Sequence, residues 1–205
     1  MNLKNKVGII EYGAGNLASI CNAIDFLNFD VKLISNPNDI KNYSHLVLPG
    51  VGHFGKLSKN LNRRGWPEKL EDFVKRGNYI FGICIGMQLL FQKSEEDENA
   101  KGLGFVKGNV KKFDKKLKLP IPHMGFNEVN FHETKIWKNI KNNSPFYFVH
   151  SYRIADTDDI SIKSKTSYGE EFVSFIEKEN IYGSQFHPEK SHKNGLKLLK
   201  NFIEL

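Results

Sequence analysis

The sequence predicts an α/β protein built on an open, doubly wound, mostly parallel sheet flanked by helices, with additional antiparallel strands in the second half. Three observations predict it. Short apolar runs alternate with helical periodicity up to about residue 100, aromatic and β-branched clusters take over beyond it, and an amphipathic helix closes the chain.

Lys6 to Glu11 reads as the first strand, and Leu17, Ile20, Cys21, Ile24 and Leu27 follow at helical spacing. Val31 to Ile34 and His45 to Leu48 are candidates for buried strands. Glu68 to Lys75 is an amphipathic helix, and Tyr79 to Ile83 is an apolar strand feeding Met87 to Phe91. In the second half, Val106 to Phe113, Asn127 to Phe131, Phe146 to Tyr152, Ser161 to Ser167 and Glu171 to Ile176 read as strands. The closing helix, Asn194 to Leu205, carries Leu196, Leu199, Phe202 and Ile203 on one side. A chain of 205 residues can bury about 70% of its unfolded surface around one core, and neither a repeat nor a linker divides it. A single domain spanning residues 1–205 is expected.

Composition narrows the function classes. The net charge of +7 comes from 30 basic and 23 acidic residues, but only Arg63, Arg64, Arg76 and Arg153 are arginines. Phosphate and base readers favour the planar guanidinium, so no nucleic-acid partner is expected. The densest basic cluster, Lys111, Lys112, Lys115, Lys116 and Lys118, is interrupted by Asp114 and reads as an exposed turn. No apolar stretch approaches the ~20 residues that span a bilayer, which points to a cytosolic protein with no membrane partner. The two cysteines, Cys21 and Cys84, are too few for a disulfide framework, and the dispersed histidines suggest no metal site. Gly13 and Gly15 lack the third glycine of a dinucleotide fingerprint.

Reactive chemistry is concentrated at Gly82-Ile83-Cys84-Ile85-Gly86, between an apolar strand and a helix. A nucleophile on such a turn needs small neighbours, and the two glycines supply them. The thiol is expected to point at solvent from a helix start, where the dipole and an imidazole favour the thiolate. Cys21 lies on the apolar stripe of the first helix and is assigned to the core. A cysteine nucleophile needs a base held by a third group, and Gln185-Phe186-His187-Pro188-Glu189 offers one. Pro188 biases His187 toward extended backbone. Residues two apart in an extended segment point to the same side at roughly 7 Å, so Glu189 can reach one ring nitrogen and leave the other for Cys84. Pro49-Gly50-Val51-Gly52 follows the third strand at its carboxyl edge, where its backbone, with the Ile85 N–H, can serve a developing oxyanion.

These segments together resemble the class I, triad-type glutamine amidotransferases. The resemblance runs from residue 6 to 202 and is carried also by Tyr12-Gly13-Ala14-Gly15-Asn16-Leu17, Met87-Gln88-Leu89-Leu90, Ser94-Glu95-Glu96, Pro122-His123-Met124-Gly125, Phe148-Val149-His150-Ser151-Tyr152 and Lys190-Ser191. Within that family the chain is most similar to the glutaminase subunits of imidazole glycerol phosphate synthases.

The resemblance implies that Cys84 attacks the side-chain amide of L-glutamine, His187 protonates the leaving nitrogen and Glu189 orients His187. Gly52, Val51 and Ile85 would serve the oxyanion, and Gln88, Glu96, Ser151 and Tyr152 would hold the substrate. His53, Phe126, Tyr147 and Lys190 would face a (β/α)₈ synthase subunit, the partner of a heterodimer. No cofactor is implied. The ammonia would pass to that partner, which makes imidazole glycerol phosphate and an aminoimidazole carboxamide ribotide in histidine biosynthesis. The Gly50-Val51-Gly52 loop is the expected switch, with a carbonyl in the site at rest and an N–H when the partner is loaded.

Two positions depart from the pattern: Phe126 stands where a tryptophan is usual after Pro-His-Met-Gly, and Ile85 where a leucine is usual. Three readings compete. Some paralogues feed ammonia to a sugar-amidating partner, a catalytically silent subunit could keep the fold alone, and cysteine peptidases or chaperones of related α/β folds also use a cysteine elbow.

Overall fold

The central strands are apolar on both faces because helices cover both sides of a parallel sheet. The computed structural model describes residues 6–114, 116, 118–155, 157, 159 and 162–205. Strands β1 (Val7–Ile10), β2 (Val31–Ile34), β3 (His45–Leu48) and β4 (Tyr79–Ile83) form the first half of the sheet. Helices α1 (Leu17–Phe26), α2 (Phe54–Arg63), α3 (Trp66–Lys75) and α4 (Ile85–Leu90) connect or flank them.

The second half contributes β5 (Lys93–Ser94), β6 (Asn109–Lys112), β7 (His123–Val129), β8 (Ser144–His150), β9 (Tyr152–Ile154), β10 (Ile162–Tyr168), β11 (Glu170–Lys178) and β12 (Ile181–Ser184), then helix α5 (His192–Ile203). The large sheet runs β2-β1-β3-β4-β12-β11-β9-β6-β5, with β10 beside β11, while β7 and β8 pair separately. Pairings from β2 through β12 along this order are parallel, and those from β12 through β6 are antiparallel.

This order sets the site. Strands β3, β4 and β12 lie side by side and point the same way, so residues 49–52, 84 and 185–187 leave the sheet at one carboxyl edge. Register aligns Leu48 with Gly82 and Ile83 with Ser184, which levels the three exits. One continuous apolar cluster fixes this frame, with Phe81, Phe175 and Phe202 against the central strands and Trp137, Phe146 and Phe186 beyond them. Each such buried side chain contributes about 1.5–3 kcal/mol, so the edge rests on a rigid base.

Several expectations need correction. Strand β2 pairs only with β1 and exposes Lys32 and Leu33, because an edge strand has one unpaired flank. Cys21 is half-buried at the core margin rather than inside it. The expected strand from Val106 is ordered as β6 only from Asn109, and β7 begins at His123, ahead of the expected Asn127. The run from Phe146 to Tyr152 is two strands that break at Ser151 and pair with different partners. The closing helix begins at His192. Ser161 and Lys115 lie outside the described residues; Lys111, Lys112, Lys116 and Lys118 are exposed, but Lys111 and Lys112 belong to strand β6 rather than to the expected turn. Among the described residues no helix is long and apolar enough to cross a membrane.

Candidate active site

The turn from β4 into α4 places Cys84 at the helix N-cap with φ 55° and ψ −111°, a conformation costly for a side chain with a Cβ. The chain is held there by close approach on both sides. A Cβ on Gly86 would lie 1.9 Å from the Leu48 carbonyl oxygen, and one on Gly82 would lie 2.6 Å from the Gly86 oxygen. No other residue fits. The Cys84 N–H donates to Ser184 O at 2.7 Å, tying the elbow to β12. The thiol itself is buried, with the residue 4% exposed, and lines a cavity of about 260 Å³; the expectation that it points at solvent is corrected by the loops around it.

His187 leaves β12 in extended backbone, φ −99° and ψ 98°, and its N–H is fixed by the Tyr147 carbonyl at 2.9 Å. Its Nδ1 lies 2.8 Å from Glu189 Oε1, and both side chains are fully shielded from solvent. Asn16, at the N-cap of α1 in left-handed conformation, donates its Nδ2 to the same carboxylate oxygen. Burial alone would lower the His187 pKa. The charge and hydrogen bonding of a Cys84 thiolate, with the Glu189 carboxylate behind the ring, outweigh burial and raise it to about 10. Nε2 completes no hydrogen bond of full geometry among the described residues, although the sulfur is its strongest electrostatic neighbour. The charges of the sulfur and of Glu189 together favour the imidazolium form of the ring, which lines the same cavity as Cys84.

In the oxyanion region the Ile85 N–H, an expected oxyanion donor, is engaged by the Gly50 carbonyl at 3.3 Å, so the 50–52 loop turns a carbonyl toward the start of α4, and the Val51 carbonyl accepts from Gly15 N at 3.1 Å. Gly50 can come this close because a Cβ there would sit 2.0 Å from Gly86 N. The Tyr12 hydroxyl, buried beneath the loop, donates to the Pro49 carbonyl and anchors its start. Gly52 has φ 147° and lines the cavity together with Val51 and Ile85.

Gln88, Glu96, Ser151 and Tyr152 all line that same cavity. Glu96 is held by the Phe54 N–H, at the first turn of α2, through its Oε2 at 2.7 Å. Gln88 donates through Nε2 to the Tyr152 carbonyl at 3.1 Å and to Gln185 Oε1 at 3.0 Å. That use of its amide hydrogens leaves Oε1 of Gln88 as an acceptor. Of the expected partner-facing residues, three are drawn together: Phe126 packs edge-on to Tyr147 at 5.5 Å, and Lys190 lies 5.7 Å from the Tyr147 ring. Phe126 also stacks on His192 at 5.2 Å. His53 stands at the N-cap of α2, exposed.

Asn16 and Gln185 are site residues that the sequence reading passed over. Gln185 had a readable signal: two residues before His187 in an extended segment, it shares the side facing the sulfur. Among the described residues no group of histidine, cysteine and acidic side chains could hold a metal ion.

The geometry has matching relatives. The family model for class-I glutamine amidotransferases matches residues 8–205. The chain is 41% identical to the imidazole glycerol phosphate synthase subunit HisH of Helicobacter hepaticus, over 98% of this chain and 99% of that protein. It is 46% identical to the protein of the same name from Methanocaldococcus jannaschii, over 97% and 99%. Among solved structures it superposes on PurLQS from Thermotoga maritima with a TM-score of 0.76 at 18% identity, covering 98% of both chains. A crystal structure of a glutamine amidotransferase matches with a TM-score of 0.75 at 16% identity, over 97% of both. The elbow at Cys84, the histidine and glutamate behind it and the match across nearly the whole chain lead to one conclusion: the protein belongs to the class-I glutamine amidotransferases.

Proposed function

We propose that the chain is a glutaminase subunit that hydrolyses L-glutamine to glutamate and ammonia through Cys84, His187 and Glu189. The observation that carries this reading is the buried His187–Glu189 pair behind the Cys84 elbow at the floor of a cavity. The Cys84 thiolate adds to the δ-carbon of glutamine, and the carbonyl π electrons move onto oxygen. Collapse of that oxyanion breaks the C–N bond as His187 Nε2 delivers its proton to the leaving nitrogen, giving ammonia and a thioester. Water, deprotonated by the now neutral His187, then adds to the thioester and releases glutamate. Glu189 stays ionised and keeps Nδ1 protonated throughout.

The substrate ends are matched by charge. Gln88 Oε1 and the Glu96 carboxylate suit the α-ammonium group, and the segment at Ser151 and Tyr152 suits the α-carboxylate. The oxyanion would be received by the Ile85 N–H and, once the 50–51 peptide turns over, the Val51 N–H, with Gly52 giving the loop freedom to move. In the present arrangement the Gly50 carbonyl occupies the place of that negative charge, which suits a site held at rest.

The ammonia acceptor we infer is a (β/α)₈ synthase subunit forming imidazole glycerol phosphate in histidine biosynthesis, since relatives more than 40% identical carry the name of that synthase's subunit. The docking surface would be the cluster of Phe126, Tyr147 and Lys190, with His53 beside the loop. A cytoplasmic setting follows from this role. Co-purification with such a partner, followed by assay of glutamate release and imidazole glycerol phosphate formation, tests the whole reading. Glutamate release that survives Cys84→Ala removes the mechanism, and a sugar-amidating partner removes the pathway.

A further inference from the structure

We propose that Gln185 is a positioning residue for the nucleophile, its side-chain N–H holding the sulfur of Cys84 while its carbonyl oxygen is clamped by Gln88. The inference rests on the glutaminase reading of Cys84 and adds to it a neutral donor to the sulfur. Gln185 is wholly buried, and its Nε2 lies 3.7 Å from Cys84 Sγ. Its own backbone N–H donates to Ser174 O at 2.9 Å, so the side chain extends from a fixed point.

The direction of each amide follows from hydrogen-bond logic. The Tyr152 carbonyl can only accept, so the Gln88 atom 3.1 Å from it is nitrogen. That same nitrogen meets Gln185 at 3.0 Å, so the facing atom of Gln185 is oxygen, and the atom on the sulfur is its NH₂. A protonated Cys84 can point its hydrogen toward the Val149 carbonyl, 3.9 Å away. A thiolate cannot, and then needs donors. The His187 imidazolium is one, but its proton goes to the leaving nitrogen during the reaction. The Gln185 amide does not titrate, so it holds the sulfur on the attack side at every step. Gln88, which lines the substrate cavity, is thereby coupled to the sulfur through a single intervening amide.

The test reads the thiolate directly. In full-length protein carrying Cys21→Ser, so that one thiol is followed, the rate of Cys84 alkylation by iodoacetamide is measured against pH. Gln185→Met, close in shape but without donor or acceptor, should raise the midpoint of that curve by about one unit and lower glutaminase kcat about tenfold in the complex, with KM changed less than threefold. Gln185→Glu keeps the acceptor toward Gln88 and replaces the donor by a negative oxygen, so it should raise the midpoint further; it also gives the answer if the Met variant folds poorly. Curves that superimpose on that of the unaltered chain overturn the proposal, and so does a loss of kcat with no shift of the midpoint, which marks a merely structural amide. Cys84→Ala separates the two levels: glutaminase that survives it sinks the parent reading, whereas an inactive Cys84→Ala beside a native-like Gln185→Met sinks this inference alone.

Discussion

The backbone N–H of Ile85 donates to the carbonyl oxygen of Gly50 at 3.3 Å, so the start of α4 beside the sulfur is closed by its neighbouring loop. Rotation of the peptide plane between Gly50 and Val51 would exchange that carbonyl for the Val51 N–H. Glutaminase turnover should therefore rise at least a hundredfold when the loaded partner binds. Val51→Pro, which has no N–H to present, should lose about 10²- to 10³-fold of the activated rate, the usual cost of one oxyanion donor. Equal turnover with and without partner contradicts the switch.

His187 carries the pH dependence of the reaction. Its folded pKa, about 10, lies above the ordinary imidazole value of roughly 6.5. The sign follows: the folded ring stays protonated through neutral pH and loses its proton as the pH rises through about 10, while the stability that this proton contributes is complete below about 6.5. Activity that needs this proton should fall on an alkaline limb near 10. Glu189→Gln keeps the shape but removes the charge behind Nδ1, so the limb should move down by a unit or more and kcat at neutral pH should fall about tenfold. An unmoved limb in the kcat profile would mean that Glu189 does not hold the imidazolium.

How much of this was legible in the sequence depends on how local each signal is. Strands β1, β3 and β4 were readable as continuous apolar runs because they are buried on both faces, and the elbow because Gly82 and Gly86 are sterically compulsory. Strand β7 begins four residues before its apolar pattern does, at His123 rather than Asn127. Its opening, Pro122-His123-Met124-Gly125, looks like a turn, and Met124 and Phe126, 62% and 49% exposed, break the alternation expected of a half-buried strand. That the loop can turn a carbonyl into the site is expected from its glycines, but that the Gly50 carbonyl takes the Ile85 N–H depends on how β3 and β4 set the two turns side by side. His123 and His150 are 27 residues apart and face each other only because β7 and β8 pair in that register.

The exposed aromatic of β7 predicts where the partner binds. Phe126 is supported from both sides, by Tyr147 and by the stacked His192 ring, so it presents a rigid apolar face. Phe126→Asp should weaken the complex at least tenfold, about 1.4 kcal/mol or more, as expected for a central aromatic anchor. Titration calorimetry with the synthase subunit checks it. Iodoacetamide labelling of Cys84 in the isolated chain should be unaffected, which separates docking from the site itself.

The buried histidines predict the acid stability of the fold. His150 donates from Nδ1 to the Tyr152 carbonyl at 2.8 Å, so its Nε2 must accept, and His123 Nδ1 lies 3.0 Å from that nitrogen as the donor. Both rings are then neutral, a state that burial enforces: it lowers the pKa of His123 to about 4 and that of His150 to about 3. Burial likewise takes His45 to about 4. These groups bind protons more readily unfolded than folded, so stability is level above about 6.5 and declines as the pH falls through 6.5 toward 4 and 3. The His187 contribution has the opposite sign and is already complete in that range. At pH 5 each buried ring should cost on the order of 1–2 kcal/mol relative to pH 7.5, which together lower the thermal midpoint by several degrees. His123→Phe removes one titrating ring and keeps the stacking on Phe148 and Tyr168, but orphans His150 Nε2. The variant should therefore be less stable at pH 7.5 yet lose less on acidification. Melting curves at the two pH values check both halves of that statement, and an unaltered acid slope would show that His123 takes up no proton on unfolding.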